Sequence, residues 1–514
     1  MTRFADFTEI FAPYVDADTW QAIADLPISG IVSDSRAVKQ GEVFTLLSVN
    51  PDTAQKAKSY ITGLNSVAVL SEISASDMGF DTANPPPMPI VHIADLRLML
   101  GDFIQAYLQA GQAVNLPKII ATTGTNGKTT ISQLTAQLID NSGMACAIMG
   151  TAGNGRLTSL VQSTHTTSEV GKVHEFLHRM GVDGVQVVSL EASSHGLHQH
   201  RLQGVPVEVA IFSNLSRDHL DYHSDMDDYA ATKAMLFDKG YFKGLHHAII
   251  NIDDEFGARL ASGLQRRLTE HTLDDLTLWT YSTQNPHANF FADNIRPSLS
   301  GVDMDVSTPF GKLSLTSPLL GLFNVGNLLA SMAGFLALYP MHFDKLPQLV
   351  ARLQGARGRM QRVETTGKQG CFIVDYAHTP DALVQVLTSL KAHCTGDLWA
   401  VFGCGGDRDK GKRPLMAKAG VSLADKVVLT ADNPRSEDPL MILKDMQAGL
   451  SCEEHYKVII EPDRRQAITY ALTHAKPDDI VVIAGKGHET YQEIKGVRHD
   501  FDDVMVIQDI AKNL

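Results

Sequence analysis

Several protein classes are excluded by what this chain has little of. Its 514 residues hold only five cysteines (Cys146, Cys371, Cys394, Cys404 and Cys452) and no CxxC pair. That argues against a disulfide framework or a thiolate zinc site and fits reduced thiols in a cytoplasmic protein. The net charge is −14, and no run of Lys or Arg offsets it, so a phosphate-tracking nucleic-acid surface is not expected. Residues 1–6 (MTRFAD) lack the apolar core of a signal peptide. Leu313–Phe343 contains no charged side chain, yet Pro318, Gly321, Asn324, Gly326 and Asn327 interrupt it. No apolar run therefore reaches the roughly 18 residues that a membrane span needs. Leu328–Tyr339 reads instead as a buried core helix. Glycine and proline are used at ordinary frequency, and no internal repeat is visible.

What is present is ordinary globular material, 44% apolar and 20% charged, in a chain long enough for three domains. After residue 115 one pattern recurs: a short continuous apolar run followed by a Gly-rich or polar segment. Ile119–Ala121 precedes TTGTNGKTT, Val185–Leu190 precedes EASSHG, and Val207–Phe212 precedes SNLSRDH. Further on, Phe372–Val374 precedes DYAHTPD, Leu398–Phe402 precedes GCGGDRDKGKRP, Val427–Leu429 precedes TADNPR, and Ile480–Ile483 precedes AGKGHE. Apolar runs without alternation predict strands buried on both faces, hence an α/β fold with parallel sheets. In such folds ligands bind beyond the carboxyl ends of the strands, where these polar segments fall. The Pro-rich ANPPPMP and the link LQGARG divide the chain into expected domains 1–95, 96–353 and 354–514.

The strongest chemical signal is Gly124-Thr125-Asn126-Gly127-Lys128-Thr129-Thr130 between an apolar run and a helix-like stretch, Ile131–Ile139. Backbone N–H groups of such a turn cradle phosphates, a lysine offsets β/γ charge, and the Thr129 hydroxyl can ligate Mg²⁺. The first glycine is only three residues from the second, a shortened form of the usual phosphate loop. Glu191, just past an apolar run, is a hard oxygen donor suited to Mg²⁺. By spacing alone Lys233 reads as a solvated helix lysine. Arg408 and Arg435 can each fork onto a ligand carboxylate, and a surface charge cluster is an equal reading of the same residues.

Taken in order, Asp34-Ser35-Arg36, GTNGKTT, EASSHGLHQHR, SNLSRDHLDYH, the Lys233 helix, NIDD, GLFNVGN, GRMQRVE, DYAHTPDAL, GCGGDRDKGKRP, DNPR and AGKGHE resemble the Mur ligase family from end to end. These are ATP-dependent amide-bond-forming enzymes of bacterial peptidoglycan synthesis. The resemblance implies three α/β domains: a small UDP-binding domain, a central P-loop-type ATPase domain and a Rossmann-like C-terminal domain. DNPR is similar to the version found in members that add meso-2,6-diaminopimelate to the D-Glu γ-carboxylate of UDP-N-acetylmuramoyl-L-Ala-D-Glu. Lysine-adding or folylpolyglutamate-type relatives, and a P-loop NTPase that ligates nothing, are the alternatives.

The same resemblance implies roles by position. Lys128, Glu191, His219 and Lys233 are the expected catalytic group. Mg²⁺ is expected on Thr129, Glu191, His219 and a carbamylated Lys233. ATP is expected along Gly124–Thr130 with Asn327, Arg359 and Asp375. Ser33, Ser35, Thr166, Thr167, Ser193, Gln199 and Arg201 are expected to hold the UDP-muramoyl dipeptide. Arg408, Asp432, Asn433, Pro434, Arg435, Gly485 and Glu489 are expected to receive diaminopimelate. A monomer without nucleic-acid or membrane partners is expected. Two departures stand out: Ser168 replaces the proline frequent in HTTSE-type segments, and Leu46–Asp52 replaces a segment that usually contains Asp-Gly.

Overall fold

A computed structural model describes residues 2–48, 52–163, 165–220, 222–365 and 370–513. Val49, Asn50 and Pro51 of the segment after Phe44, and Asp221 of the SNLSRDHLDYH run, lie outside the described residues. The chain divides into two compact units, one comprising Met1–Lys128, Gly143–Ile249 and Arg259–Leu278, the other Thr129–Ser142, Ile250–Ala258 and Trp279–Leu514.

After short helical segments at Phe4–Phe7, Thr8–Phe11 and Ala17–Ile23, the first unit forms four short parallel strands, β1 (Gly30–Val32), β2 (Glu42–Leu46), β3 (Ala68–Ser71) and β4 (Ile90–His92), side by side in chain order. After β4 the chain forms a 3₁₀ turn at Leu96–Leu98 and continues as α1 (Leu100–Gly111). Its Phe103 ring packs at 4.9–6.0 Å from Phe4, Phe7 and Phe11. Aromatic area buried there ties the segment after residue 95 to the core of the N-terminal sheet.

Next in the chain come β5 (Lys118–Thr123), α2 (Lys128–Asn141, which from Thr129 on is assigned to the second unit), β6 (Cys146–Gly150), β7 (Gly153–Gly155), α3 (Val170–Val182), β8 (Val187–Glu191), α4 (Ser194–His198), β9 (Val207–Phe212), α5 (Met226–Ala234) and β10 (His247–Asn251). The strands run in the order β10-β9-β5-β8-β6-β7. β6, β8, β5 and β9 run parallel, as the unbroken apolar runs of β5, β8 and β9 predict, and the short β7 is antiparallel to β6. The phosphate loop, Thr151, Glu191 and Ser213 therefore share the carboxyl edge of one sheet.

In the second unit, β11 (Thr277–Ser282) pairs in parallel with β12 (Phe290–Ser298), which leads into an antiparallel meander with β13 (Gly301–Thr308) and β14 (Gly311–Ser317). The uncharged stretch forms α6 (Phe323–Leu338), a core helix buried on nearly every side. No helix among the described residues is long and apolar enough to cross a membrane. The remainder is β15 (Gln361–Val363), β16 (Cys371–Asp375), α7 (Pro380–Lys391), β17 (Leu398–Phe402), α8 (Lys412–Leu423), β18 (Lys426–Leu429), α9 (Pro439–Gln447), β19 (Val458–Ile460), α10 (Arg464–His474), β20 (Ile480–Ala484), β21 (Tyr491–Ile494), β22 (Val497–Asp500) and α11 (Asp503–Lys512). Its sheet runs β15-β16-β20-β17-β18-β19, parallel except for β15. Separate apolar cores cover its two faces. The ends of β16, β17, β18 and β20 deliver DYAH, GCGGDRD, DNPR and GKGHE to one edge.

Candidate active site

In the first unit, β5 ends in a turn that only glycine can make. Gly124 has φ 142° and Gly127 φ 89°, and a Cβ on Gly124 would stand 1.9 Å from Ser213 Oγ. The turn is braced by the segment after β9: Thr125 N–H donates to the Asn214 carbonyl (2.8 Å), Asn126 N–H to Asn214 Oδ1 (2.9 Å), and Ser213 Oγ to the Asn126 carbonyl (2.6 Å). Lys128, which opens α2, donates from Nζ to the carbonyls of Gly124 (2.7 Å) and Thr125 (2.9 Å).

Lys233 reaches the same turn from α5. Its Nζ donates to the Gly124 carbonyl at 2.8 Å and lies 4.3 Å from the Tyr229 ring centroid. The side chain is buried, so the solvated-lysine reading from spacing does not hold: α5 faces the phosphate loop at this position. Burial pushes the Lys233 ammonium well below the ordinary lysine range, the nearby Lys128 charge adds to this, and Asp218 opposes it.

Glu191 is the last residue of β8 rather than a residue past it, and it too is buried. Its carboxylate accepts from Thr151 N–H (2.9 Å) and Thr151 Oγ1 (3.2 Å) at the end of β6. Beneath it lies Gly150, where a Cβ would come within 2.1 Å of Glu191 Oε1. His219 sits in the left-handed region, φ 53°, with its ring 5.0 Å from that of His195. A non-glycine residue held there is a local strain of the kind that accumulates at functional sites.

Five of the residues expected to hold the muramoyl dipeptide form one network. Thr166 Oγ1 lies 3.0 Å from Thr151 Oγ1, and Thr167 Oγ1 donates to the Glu191 carbonyl (2.7 Å) while accepting from Ser193 N–H and Oγ (both 3.0 Å). Arg201 donates to the Thr167 carbonyl (2.8 Å) and to Gln199 Oε1 (2.8 and 3.1 Å). Ser33 and Ser35 lie elsewhere in the unit, just past β1, where Ser33 Oγ pairs with Thr45 Oγ1 at 2.7 Å.

In the second unit, Asp375 ends β16 and accepts from the N–H groups of Met360 and Ala377 (both 2.7 Å). Burial raises its carboxyl pKa, and the Arg359 guanidinium, stacked 4.8 Å from the Tyr376 ring, pulls the other way. Asn327 belongs to α6, where its amide donates to Asn324 Oδ1 (2.9 Å).

The DNPR segment lies against two neighbours. Gly405 and Gly406 press on it so closely that a Cβ would meet Arg435 Nη1 at 2.9 Å or the Pro434 carbonyl at 1.9 Å; the Gly405 position also lies 3.6 Å from Arg408 Cγ. Arg435, at φ 50°, donates from Nη1 to the Gly406 carbonyl (2.7 Å), and its Nε lies 3.8 Å from Glu493. Gly485, at φ 114°, leaves room for the Asp432 carboxylate, which a Cβ would meet at 2.7 Å. Asn433 Nδ2 donates to Glu489 Oε2 at 2.9 Å. Burial pushes the Asp432 carboxyl up, against the pull of Arg464 and Lys486. All seven residues expected to receive the amino acid thus meet at one end of this sheet.

Two family models match the chain: Mur ligase middle domain over residues 122–334, and Mur ligase, glutamate ligase domain over residues 358–487. A UDP-N-acetylmuramoyl-L-alanyl-D-glutamate–2,6-diaminopimelate ligase of Coxiella burnetii is 39% identical over 95% of this chain and 97% of its own. The ligase of the same name from Neisseria meningitidis serogroup B is 41% identical over 92% and 93%. A solved structure of a ligase with that name is 41% identical, with a TM-score of 0.75 over 100% of this chain and 99% of the other.

The chain belongs to the Mur ligase family.

The first match covers the phosphate loop, Glu191, His219 and Lys233; the second takes in Arg359 through Gly485 and ends two residues before Glu489. Sequence reasoning missed several side chains of this Mur ligase. Thr151 holds Glu191, and Tyr229 lies under the Lys233 amine with its hydroxyl 3.2 Å from Thr125 Oγ1. Arg464 lies fully buried behind Asp432, bound to Asp503. Lys486, also fully buried, sits among the DNPR side chains. Only Lys486 had a readable signal: a lysine directly after an apolar strand and a glycine cannot reach solvent as easily as one on a helix face.

Proposed function

We propose that this chain joins meso-2,6-diaminopimelate to the γ-carboxylate of D-Glu in UDP-N-acetylmuramoyl-L-Ala-D-Glu, using ATP and releasing ADP and phosphate. The observation that carries this reading is the end-to-end likeness, at 39–41% identity, to ligases named for that reaction. DNPR set against Gly405-Gly406 supports the choice of amino acid, because an arginine fork matches the distal carboxylate that distinguishes diaminopimelate from lysine.

A carboxylate is a poor acyl donor, and both it and ATP are anionic. The γ-carboxylate takes the terminal phosphoryl group of ATP to give an acyl phosphate; the diaminopimelate amine attacks the acyl carbon, loses a proton, and phosphate leaves. The protein contributes alignment and fixed charge rather than a covalent nucleophile. In this reading the N–H groups of Gly124–Thr130 and the Lys128 ammonium bind the phosphates. Asn327, Arg359 and Asp375 serve the adenosine side. Thr166, Thr167, Ser193, Gln199 and Arg201 orient the dipeptide, with Ser33 and Ser35 at the uridine end. Arg408 and Arg435 take the distal carboxylate of diaminopimelate, and Asp432, Asn433 and Glu489 its ammonium, with Pro434 and Gly485 shaping the wall. Segments 1–95, 96–353 and 354–514 are the UDP-, ATP- and amino-acid-binding domains of a cytoplasmic monomer.

The donors Thr129, Glu191 and His219 are those a hard divalent cation accepts, oxygen in two cases and imidazole in the third. Among the described residues no three His, Cys, Asp or Glu side chains are grouped to hold a metal. Lys233, whose ammonium is pushed toward proton loss by burial, would supply a further oxygen donor once its amine adds carbon dioxide and releases a proton to form a carbamate. Bound there, Mg²⁺ would screen the phosphate charge.

The test is phosphate release from ATP in the presence of UDP-N-acetylmuramoyl-L-Ala-D-Glu and meso-diaminopimelate, L-lysine or no amino acid. Release with diaminopimelate alone is expected. Strong release with lysine would overturn the amino-acid assignment, and no stimulation by any amino acid beside an active control would overturn the ligase reading.

A further inference from the structure

The end of β20 carries a lysine that the reaction just described does not use. Lys486 is wholly buried, so it cannot touch a substrate. Its Nζ lies 3.1 Å from Glu489 Oε2, 3.2 Å from Asn433 Oδ1 and 3.8 Å from Asp432 Oδ1. The Tyr491 ring closes the other side, at 5.5 Å. Those three polar partners are the ones assigned above to the ammonium of the incoming amino acid.

Two consequences follow from this geometry. Asn433 Oδ1 accepts from Lys486 and from Glu493 N–H (2.9 Å), which leaves its amide nitrogen facing Glu489. The Asn433 amide therefore has one orientation, set by Lys486 on its oxygen side. Secondly, Asp432 and Glu489 are two acids in one poorly solvated pocket, where like charges repel strongly. An ammonium between them cancels one charge and leaves the other for a ligand.

We propose that Lys486 is a positioning residue for the acceptor amino acid: it fixes Asn433 and Glu489 and balances one of the two acids, so that the pocket offers a single net negative charge to one ammonium group. This rests on the amino-acid assignment made under the proposed function. The full-length enzyme, with ATP, Mg²⁺ and UDP-N-acetylmuramoyl-L-Ala-D-Glu saturating, provides the test through the KM of each substrate in Lys486→Met. Losing one partner of a buried charge pair predicts a rise of about 30-fold or more in KM for diaminopimelate. The KM values for ATP and the UDP-dipeptide should stay at the wild-type level, and kcat within about threefold of it. If the methionine variant does not fold, Lys486→Gln, which keeps the volume and a hydrogen-bonding end, takes its place. An unchanged KM for diaminopimelate in a folded variant, or a common decline of kcat with all three KM values, overturns the proposal. Should the wild type accept a different amino acid, the functional assignment falls, and the same comparison on that amino acid's KM still decides the role of Lys486.

Discussion

Lys233 and Lys486 are both sealed from solvent, one in each compact unit, and their surroundings are opposites. Lys233 meets a carbonyl, an aromatic face and the charge of a second lysine. Lys486 meets two acids and an amide oxygen. A carbonyl and a ring do not make up for the lost hydration of an ammonium, so Lys233 gives up its proton more readily than an ordinary lysine. Carboxylates at 3.1 and 3.8 Å make Lys486 a counter-ion instead. What a buried lysine does is set by its partners more than by its depth. The Gly124–Lys128 turn of the first unit is thus built on backbone dipoles, and the DNPR end of the second unit on paired charges.

The largest expected effect tests the paired-charge half. Arg464 and Asp503 are fully buried together at 2.7 Å, and Arg464 also donates to the carbonyls of Ala431 and Ala484, just ahead of Asp432 and Gly485. Arg464→Met should cost about 3–5 kcal/mol in urea unfolding, and Arg464→Met/Asp503→Leu should recover most of it. A loss below about 1 kcal/mol would show that the DNPR end of the second unit does not depend on its ion pairs.

Next comes Lys233→Met, expected to lower phosphate release by about 10²–10³-fold. Stability should move the opposite way. The folded-state pKa of Lys233 is depressed, so between that value and the ordinary 10.5 the unfolded chain binds the extra proton and stability rises with pH. In buffer free of carbon dioxide the methionine variant should melt above the wild type near neutral pH, with the gap closing as pH approaches 10.5. A gap that widens with pH would contradict a lowered pKa at Lys233.

Arg435→Ala should raise KM for diaminopimelate by about 30-fold while leaving the KM for ATP unchanged. An equal rise for both would mean that Arg435 merely braces the Gly405-Gly406 loop. The smallest effect is assigned to Thr151→Val, which removes the hydroxyl donor to Glu191 but keeps the N–H donor. A fall of about tenfold in kcat is expected from one hydrogen bond to a charged group; an unchanged kcat would assign the orientation of Glu191 to the backbone alone.

Much of this was legible in the sequence where the physics is local. Continuous apolar runs marked β5, β8, β9, β16, β17, β18 and β20, because a strand buried on both faces needs no alternation. The phosphate loop was legible because its function lies in backbone N–H groups and a fixed glycine spacing. The helices at Lys128 and Phe323 extend a few residues beyond the apolar stretches that announced them, since capping turns carry no hydrophobic signal. The β12–β14 meander was not anticipated; its strands alternate, and short alternating segments compete with loops in a polar region. Lys233 was named by resemblance alone, because its burial arises from α5 meeting a loop about 110 residues earlier in the chain, a contact that the spacing around it does not encode. Thr151 and Arg464 were missed for the same reason: each acts on an acid whose neighbourhood exists only after folding.

Gly150 carries this into heredity. Its backbone makes no demand for glycine, yet the space where a methyl group would go is occupied by the Glu191 carboxylate. The smallest step a point mutation in the gene can take there, glycine to alanine, forces that acid off the two bonds from Thr151 that aim it. A residue with no side chain is thereby as exposed to purifying selection as the acid it accommodates, and in a library of variants it should tolerate as little change as Glu191 itself.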